Sequence, residues 1–173
     1  MSRNHIFFVT LLGITSFTSC IIPGARRERA ELELQRNDSL IVIDEGAFHF
    51  SMVMPKDLMI THEPNIQLST HESTLHVSCG TDFQIRVTMP ENPASAHTVG
   101  NEQEGIFTHR LLDCEDESCV YKRILPDGSS FDYGLYQITT VGETTYVFQS
   151  SLDGEFNLNA AMRMKLALAS VKI

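Results

Sequence analysis

The sequence predicts an α+β domain, an antiparallel sheet of about six to eight strands with a C-terminal helix packed on one face. Three observations lead there. Residues 48–54 and 83–89 alternate apolar and polar with period two, the mark of a strand with one buried face. Residues 106–150 break into short apolar runs separated by turn residues, the pattern of a meander. Beyond Asp153 the apolar period lengthens to that of an amphipathic helix.

The elements follow in order. Residues 24–38 are charged and rich in helix formers (Ala30, Glu31, Leu32, Glu33, Leu34, Gln35); they read as a short surface helix or an extended tether. Leu40-Ile41-Val42-Ile43 is a compact apolar run stopped by Glu45-Gly46. Phe48, Phe50, Met52 and Met54 then share one face, and Pro55 ends the strand. Residues 58–61 form a short strand candidate before the turn His62-Glu63-Pro64-Asn65, and residues 66–69 and 74–79 are further strands. Phe83, Ile85, Val87 and Met89 make the next strand. Residues 90–105 carry two prolines and two glycines; a loop so long is functional, mobile or contains a short helix.

In the second half, residues 106–114 and 119–125 pair as a hairpin. Pro126-Asp127-Gly128-Ser129 is a turn, because Pro presets φ and Gly accepts positive φ. Residues 131–141, the turn Gly142-Glu143 and residues 144–150 complete the meander. Asp153 is placed to cap a helix starting near Glu155. Its sheet-facing stripe is Phe156, Ala160, Met164, Ala167 and Val171, with Leu168 beside it. A second arc, Leu158, Met162, Leu166 and Ala169, points elsewhere and is a possible docking face for a partner or second copy. Coverage by the chain's own segment 24–45 is the competing explanation.

The N-terminus carries an address. Arg3 and His5 precede an uncharged apolar run of twelve residues, Ile6 to Phe17, too short for the roughly 20 residues of a membrane span and of secretory h-region length. Phe17-Thr18-Ser19-Cys20 resembles the lipobox of bacterial lipoproteins. The resemblance implies a signal peptide over residues 1–19, lipidation (palmitate-type acylation) at Cys20, a lipidated tether over 20–38 and a single domain over 39–173. Two or three acyl chains, at about 0.8 kcal/mol per buried methylene, make release from the membrane negligible. No acidic residue directly follows Cys20. By the same resemblance the protein is expected in the periplasm, on the inner side of the cell outer membrane.

Charge and cysteines narrow the classes. The chain has 13 basic and 22 acidic residues, a formal charge of −9. The signal holds one of the basic residues, Arg3, so a chain cut before Cys20 carries −10. That excess argues against nucleic acid as partner. Arg26, Arg27 and Arg29 form a local basic cluster that either favours anionic lipid or is simply a solvated tether. Cys114 and Cys119 bracket an acidic tetrapeptide; a hairpin would set them face to face as a disulfide bond, which an oxidising compartment preserves. A metal site built from the same groups is the rival, but two thiols make an incomplete zinc shell, and the loop lacks the alternating spacing of a calcium loop. Cys79 reads as a small buried hydrophobe rather than a nucleophile.

Motifs for catalysis are weak. His62-Glu63 and His71-Glu72 repeat a Thr-His-Glu triplet nine residues apart, with His76 nearby. The His-Glu-x-x-His spacing of zinc hydrolases is not among them, and solvated turn histidines account for them. The sequence has no Gly-x-Ser-x-Gly elbow and no phosphate-binding glycine loop. No catalytic residue, metal ligand or cofactor is therefore assigned.

The stretch Phe48-His49-Phe50-Ser51-Met52-Val53-Met54-Pro55-Lys56-Asp57 resembles the Phe-x-x-x-x-Pro-x-x-Trp opening of PsbP-like domains, with Leu58 where the aromatic often stands. Thr145-Tyr146-Val147-Phe148, Phe156 and the ending Ala169-Ser170-Val171-Lys172 are also similar. The likeness implies an α/β/α sandwich and a binding or assembly role, and carries no functional residue over. The sequence expectation is a membrane-tethered, non-catalytic interaction or assembly factor with an envelope protein as partner. The alternative is an envelope hydrolase or a small-ligand-binding lipoprotein.

Overall fold

Period-two alternation produces strands and the longer period a helix, in a computed structural model that describes residues 39–71, 73–101 and 105–173. The described chain runs β1 (Ser39–Glu45), β2 (Phe48–Met54), α1 (Lys56–Thr61), β3 (Asn65–Ser69), β4 (Thr74–Ser78), β5 (Gln84–Thr88), α2 (Ala96–Asn101), β6 (Thr108–Cys114), β7 (Ser118–Ile124), β8 (Ser130–Val141), β9 (Thr144–Ser150) and α3 (Leu158–Leu168). The α+β class follows. Seven strands form one antiparallel sheet in the order β3-β4-β5-β9-β8-β7-β6, while β1 and β2 pair separately as a hairpin.

The hairpin and α3 cover one face of the sheet. Phe48, Phe50, Met52 and Met54 are all buried, as the alternation requires. The Phe50 ring centre lies 5.2 Å from that of Tyr146 and 5.4 Å from that of Phe148, both on β9. These rings join Leu75, Val77, Ile85, Val87 and Leu135 of the sheet and the inner side of α3 in one core. Segment 170–173 then laces hairpin to helix. Ser51 N–H donates to the Lys172 carbonyl at 2.7 Å, and Lys172 N–H returns a bond of 3.0 Å. Val53 N–H donates to Ser170 Oγ at 2.7 Å.

On the other face α2 packs over β6, β7 and β8. There α2 stands on a smaller core of Ala96, Cys119, Tyr121, Tyr136 and Val147. The Tyr136 hydroxyl donates to the Ala94 carbonyl at 2.8 Å and fixes the approach to α2. Gly134 lies under the Tyr121 ring, where an added Cβ would sit 2.4 Å from ring carbons.

Two expectations are corrected. Residues 58–61 are helical, not a strand: Leu58 N–H donates to the Pro55 carbonyl at 3.1 Å and His62 N–H to the Leu58 carbonyl at 3.0 Å. Pro55, at φ −55°, is already set for a helical turn, and a short apolar run has no periodicity of its own to separate the two states. The C-terminal helix is capped by Asn157, whose side chain accepts from Ala160 N–H at 2.9 Å, and not by Asp153. Residues 154–156 cannot join the helix because the Phe156 carbonyl accepts from Tyr133 N–H at 3.0 Å. Phe156 and Val171 therefore flank the helix, and its buried stripe is Ala160, Met164 and Ala167 with Ala161 and Leu168. Residues 90–105 contain the short helix α2.

Candidate functional site

The β6–β7 hairpin turns through Asp116-Glu117. Glu115 and Ser118 exchange both backbone hydrogen bonds, 2.7 and 3.4 Å, so the next pair out is a non-hydrogen-bonded pair, the closer of the two kinds. That pair is Cys114 and Cys119, 4.0 Å apart at Cα and joined as a disulfide. Cys79 is a buried free thiol whose Sγ donates to the His62 carbonyl at 3.4 Å. Burial, with a smaller push from the Asp57 charge, raises its pKa above the ordinary thiol value. It stays protonated and is a poor nucleophile.

One ion pair is fully buried. Arg123 Nε donates to Asp132 Oδ1 at 2.6 Å, Nη2 donates to Oδ2, and Nη2 also donates to the Gly154 carbonyl at 3.2 Å. The guanidinium lies 5.8 Å from the Phe107 ring centre and 6.0 Å from that of Phe131. This group ties β7, β8 and the β9–α3 connection together, a structural clamp rather than a site.

The register of the sheet assembles a second arrangement from residues far apart in sequence. Gln67, His76, Arg86, Gln149, Tyr136, Cys119 and Cys114 are successive cross-strand partners, one from each of the seven strands. They form a single row across the face that carries α2. The helix covers the Tyr136–Cys119 end. Among the described residues the Gln67–Gln149 end lies outside the cover of α2, with Gln67 exposed and His76, Arg86 and Gln149 half-buried. The neighbouring rows hold Asn65, Ser78 and Gln84 on one side, and the pairs Ser69–Thr74 and Thr88–Val147 on the other. Not one of these positions is acidic. Arg86 Nη2 donates to Gln149 Oε1 at 2.7 Å.

The residues singled out from the sequence fall in several places. On α3, Leu158 and Leu166 are 43% and 38% exposed and Ala169 is exposed, whereas Met162 is half-buried against the core. That arc is thus open at three of its four positions. His62 follows α1, His71 lies in the β3–β4 turn, and His76 is in the polar row. Among the described residues no three His, Cys, Asp or Glu side chains come close enough to hold a metal ion. Cys20, the tether and the signal lie outside the described residues, as does Glu72. No described helix is long and apolar enough to cross a membrane. The Arg86 row was not found from sequence, because register decides it. Its one visible signal is the run of polar residues on the outward side of β3, β4 and β5.

No protein-family model, no curated protein and no solved structure matches this chain.

Proposed function

We propose that this chain is an envelope lipoprotein, tethered through Cys20, that acts as a non-catalytic interaction or assembly factor on the periplasmic side of the outer membrane. The observation that carries the interaction role is the open half-face around Arg86. Among the described residues its strand positions carry hydrogen-bonding side chains and no acid, the form of a recognition surface rather than of a reaction pocket. The lipobox-like sequence before Cys20 supports the tether. Layers on both sides of the sheet, α3 with the hairpin and α2 opposite, support a PsbP-like α/β/α reading of the fold.

Radiolabelled palmitate in bacterial cells tests the tether: label is expected in the parent protein and not in Cys20→Ala, and equal label in both refutes the lipoprotein reading. A photo-crosslinker at Gln67, within intact envelopes, tests the interaction role. A single discrete adduct is expected there, and its absence from Gln67 and from Leu158 alike would refute that role.

A further inference from the structure

We infer that the open half-face binds an acidic peptide, with Arg86 taking its carboxylate. This rests on the interaction role proposed above and specifies the chemistry of the partner. Of the described arginines that are not fully exposed, Arg123 is paired with Asp132 and Arg163 with Asp57. Arg86 is the exception. Its one bond is to a neutral amide oxygen, Gln149 Oε1. Among the described residues its remaining N–H groups meet no protein acceptor, and no carboxylate reaches it. A half-buried guanidinium has lost part of its hydration, and its planar fork matches a carboxylate in two parallel bonds. Gln149 holds the fork in place, so less rotamer freedom is lost when a ligand arrives.

The surroundings select the ligand. In a chain of formal charge −9, the absence of acid from Asn65, Gln67, Ser69, Thr74, His76, Ser78, Gln84 and Thr88 lowers the repulsion an anion would meet beside Arg86. Gln67 and Gln149 bracket His76 and Arg86 in the row, and amide side chains both donate and accept, as a peptide backbone requires. At about 4.8 Å between strands, the four positions span about 14 Å, the reach of about four extended residues. A sugar acid is less suited: the one phenol ring in the row, Tyr136, is 5% exposed, and the half-buried His76 imidazole is a smaller stacking surface. A single arginine is also a poor match for nucleic acid, whose binding rests on several neutralised phosphates.

The test uses the full lipidated chain in detergent micelles and a fluorescein-labelled heptapeptide of alternating alanine and glutamate, with an alanine–glutamine twin as control. Fluorescence anisotropy is expected to show saturable binding of the acidic peptide and at least about tenfold weaker binding of the twin, the scale of one charge-assisted pair. Arg86→Gln should weaken the acidic peptide at least about tenfold with its melting temperature unchanged. Arg110→Gln, an exposed arginine of β6 outside this face, should leave binding as it was. Equal binding by Arg86→Gln, an equal loss in Arg110→Gln, or no binding of the acidic peptide at millimolar concentration would overturn the inference. So would Arg86-dependent capture of a polyuronate oligomer without the peptide. If the titration fails while the crosslink from Leu158 persists, the interaction role stands and only this assignment falls.

Discussion

Replacing Asp132 by alanine should be among the most damaging single changes in the sheet. Both side chains of the Arg123–Asp132 pair are nearly inaccessible, 3% and 2% exposed. The substitution removes two charge-assisted bonds and leaves the guanidinium donating to the Gly154 carbonyl at 3.2 Å. A buried charge stripped of its partner costs about 3–5 kcal/mol. At about 4 °C per kcal/mol for a domain of this size, melting should fall by about 12–20 °C. The double variant Arg123→Met/Asp132→Leu should recover most of that loss. Its side chains remove both charges and pack against the paired Phe107 and Phe131 rings, and such exchanges are often neutral or better. Urea unfolding followed by far-ultraviolet circular dichroism, with the disulfide intact, measures both variants on one scale. A single variant within about 1 kcal/mol of the parent would refute the argument. So would a double variant as unstable as the single, because the cost would then lie in lost shape rather than in a stranded charge.

Three further outcomes are expected. Cys114→Ser with Cys119→Ser should cost about 2 kcal/mol in urea unfolding, the chain-entropy value for so short a loop; no change would show that the turn alone fixes the hairpin. Gly134→Ala should cost about 1–3 kcal/mol by overpacking against Tyr121, and Tyr121→Ala in the same chain should relieve part of it; a neutral Gly134→Ala would mean that the ring moves freely. Cys79 should resist iodoacetamide in the folded protein and react in urea. Because its folded pKa is raised, its contribution to stability is present below the ordinary thiol value of 9.0 and declines as pH rises through that value toward the folded one. Parent protein should therefore lose stability above that pH more steeply than Cys79→Ala, and parallel profiles would refute the assignment.

What the sequence reveals divides by distance along the chain. The alternation from Phe48 to Met54 and the Cys114–Cys119 hairpin are local, and both are legible because side-chain period and loop length set them. Residues 58–61 misled because four apolar residues carry no period. The helix start was misplaced because Asp153 and Asn157 are both good caps, and the bond from Tyr133 that keeps residues 154–156 extended comes from another strand. The placement of β5 beside β9 rests on pairs such as Arg86 with Gln149, which no local pattern encodes. The Arg86 row and its half-face are consequences of that register, whereas the Arg123–Asp132 clamp depends on the pairing of β7 with β8. A charged residue in a strand looks the same in sequence whether its partner is a carboxylate, an amide or solvent.

The bond pair between Ser51 and Lys172 also sets a clock. The β1–β2 hairpin has its second edge completed by a residue 121 positions later, and β5 waits for β9 before it gains its second neighbour. A chain emerging in order cannot bury Phe50 against Tyr146 and Phe148 until β9 has emerged. Until then an apolar strand stands without its cover, the situation in which chains aggregate or engage holding chaperones. Cooperative closure around β2 therefore waits for β9 and segment 170–173.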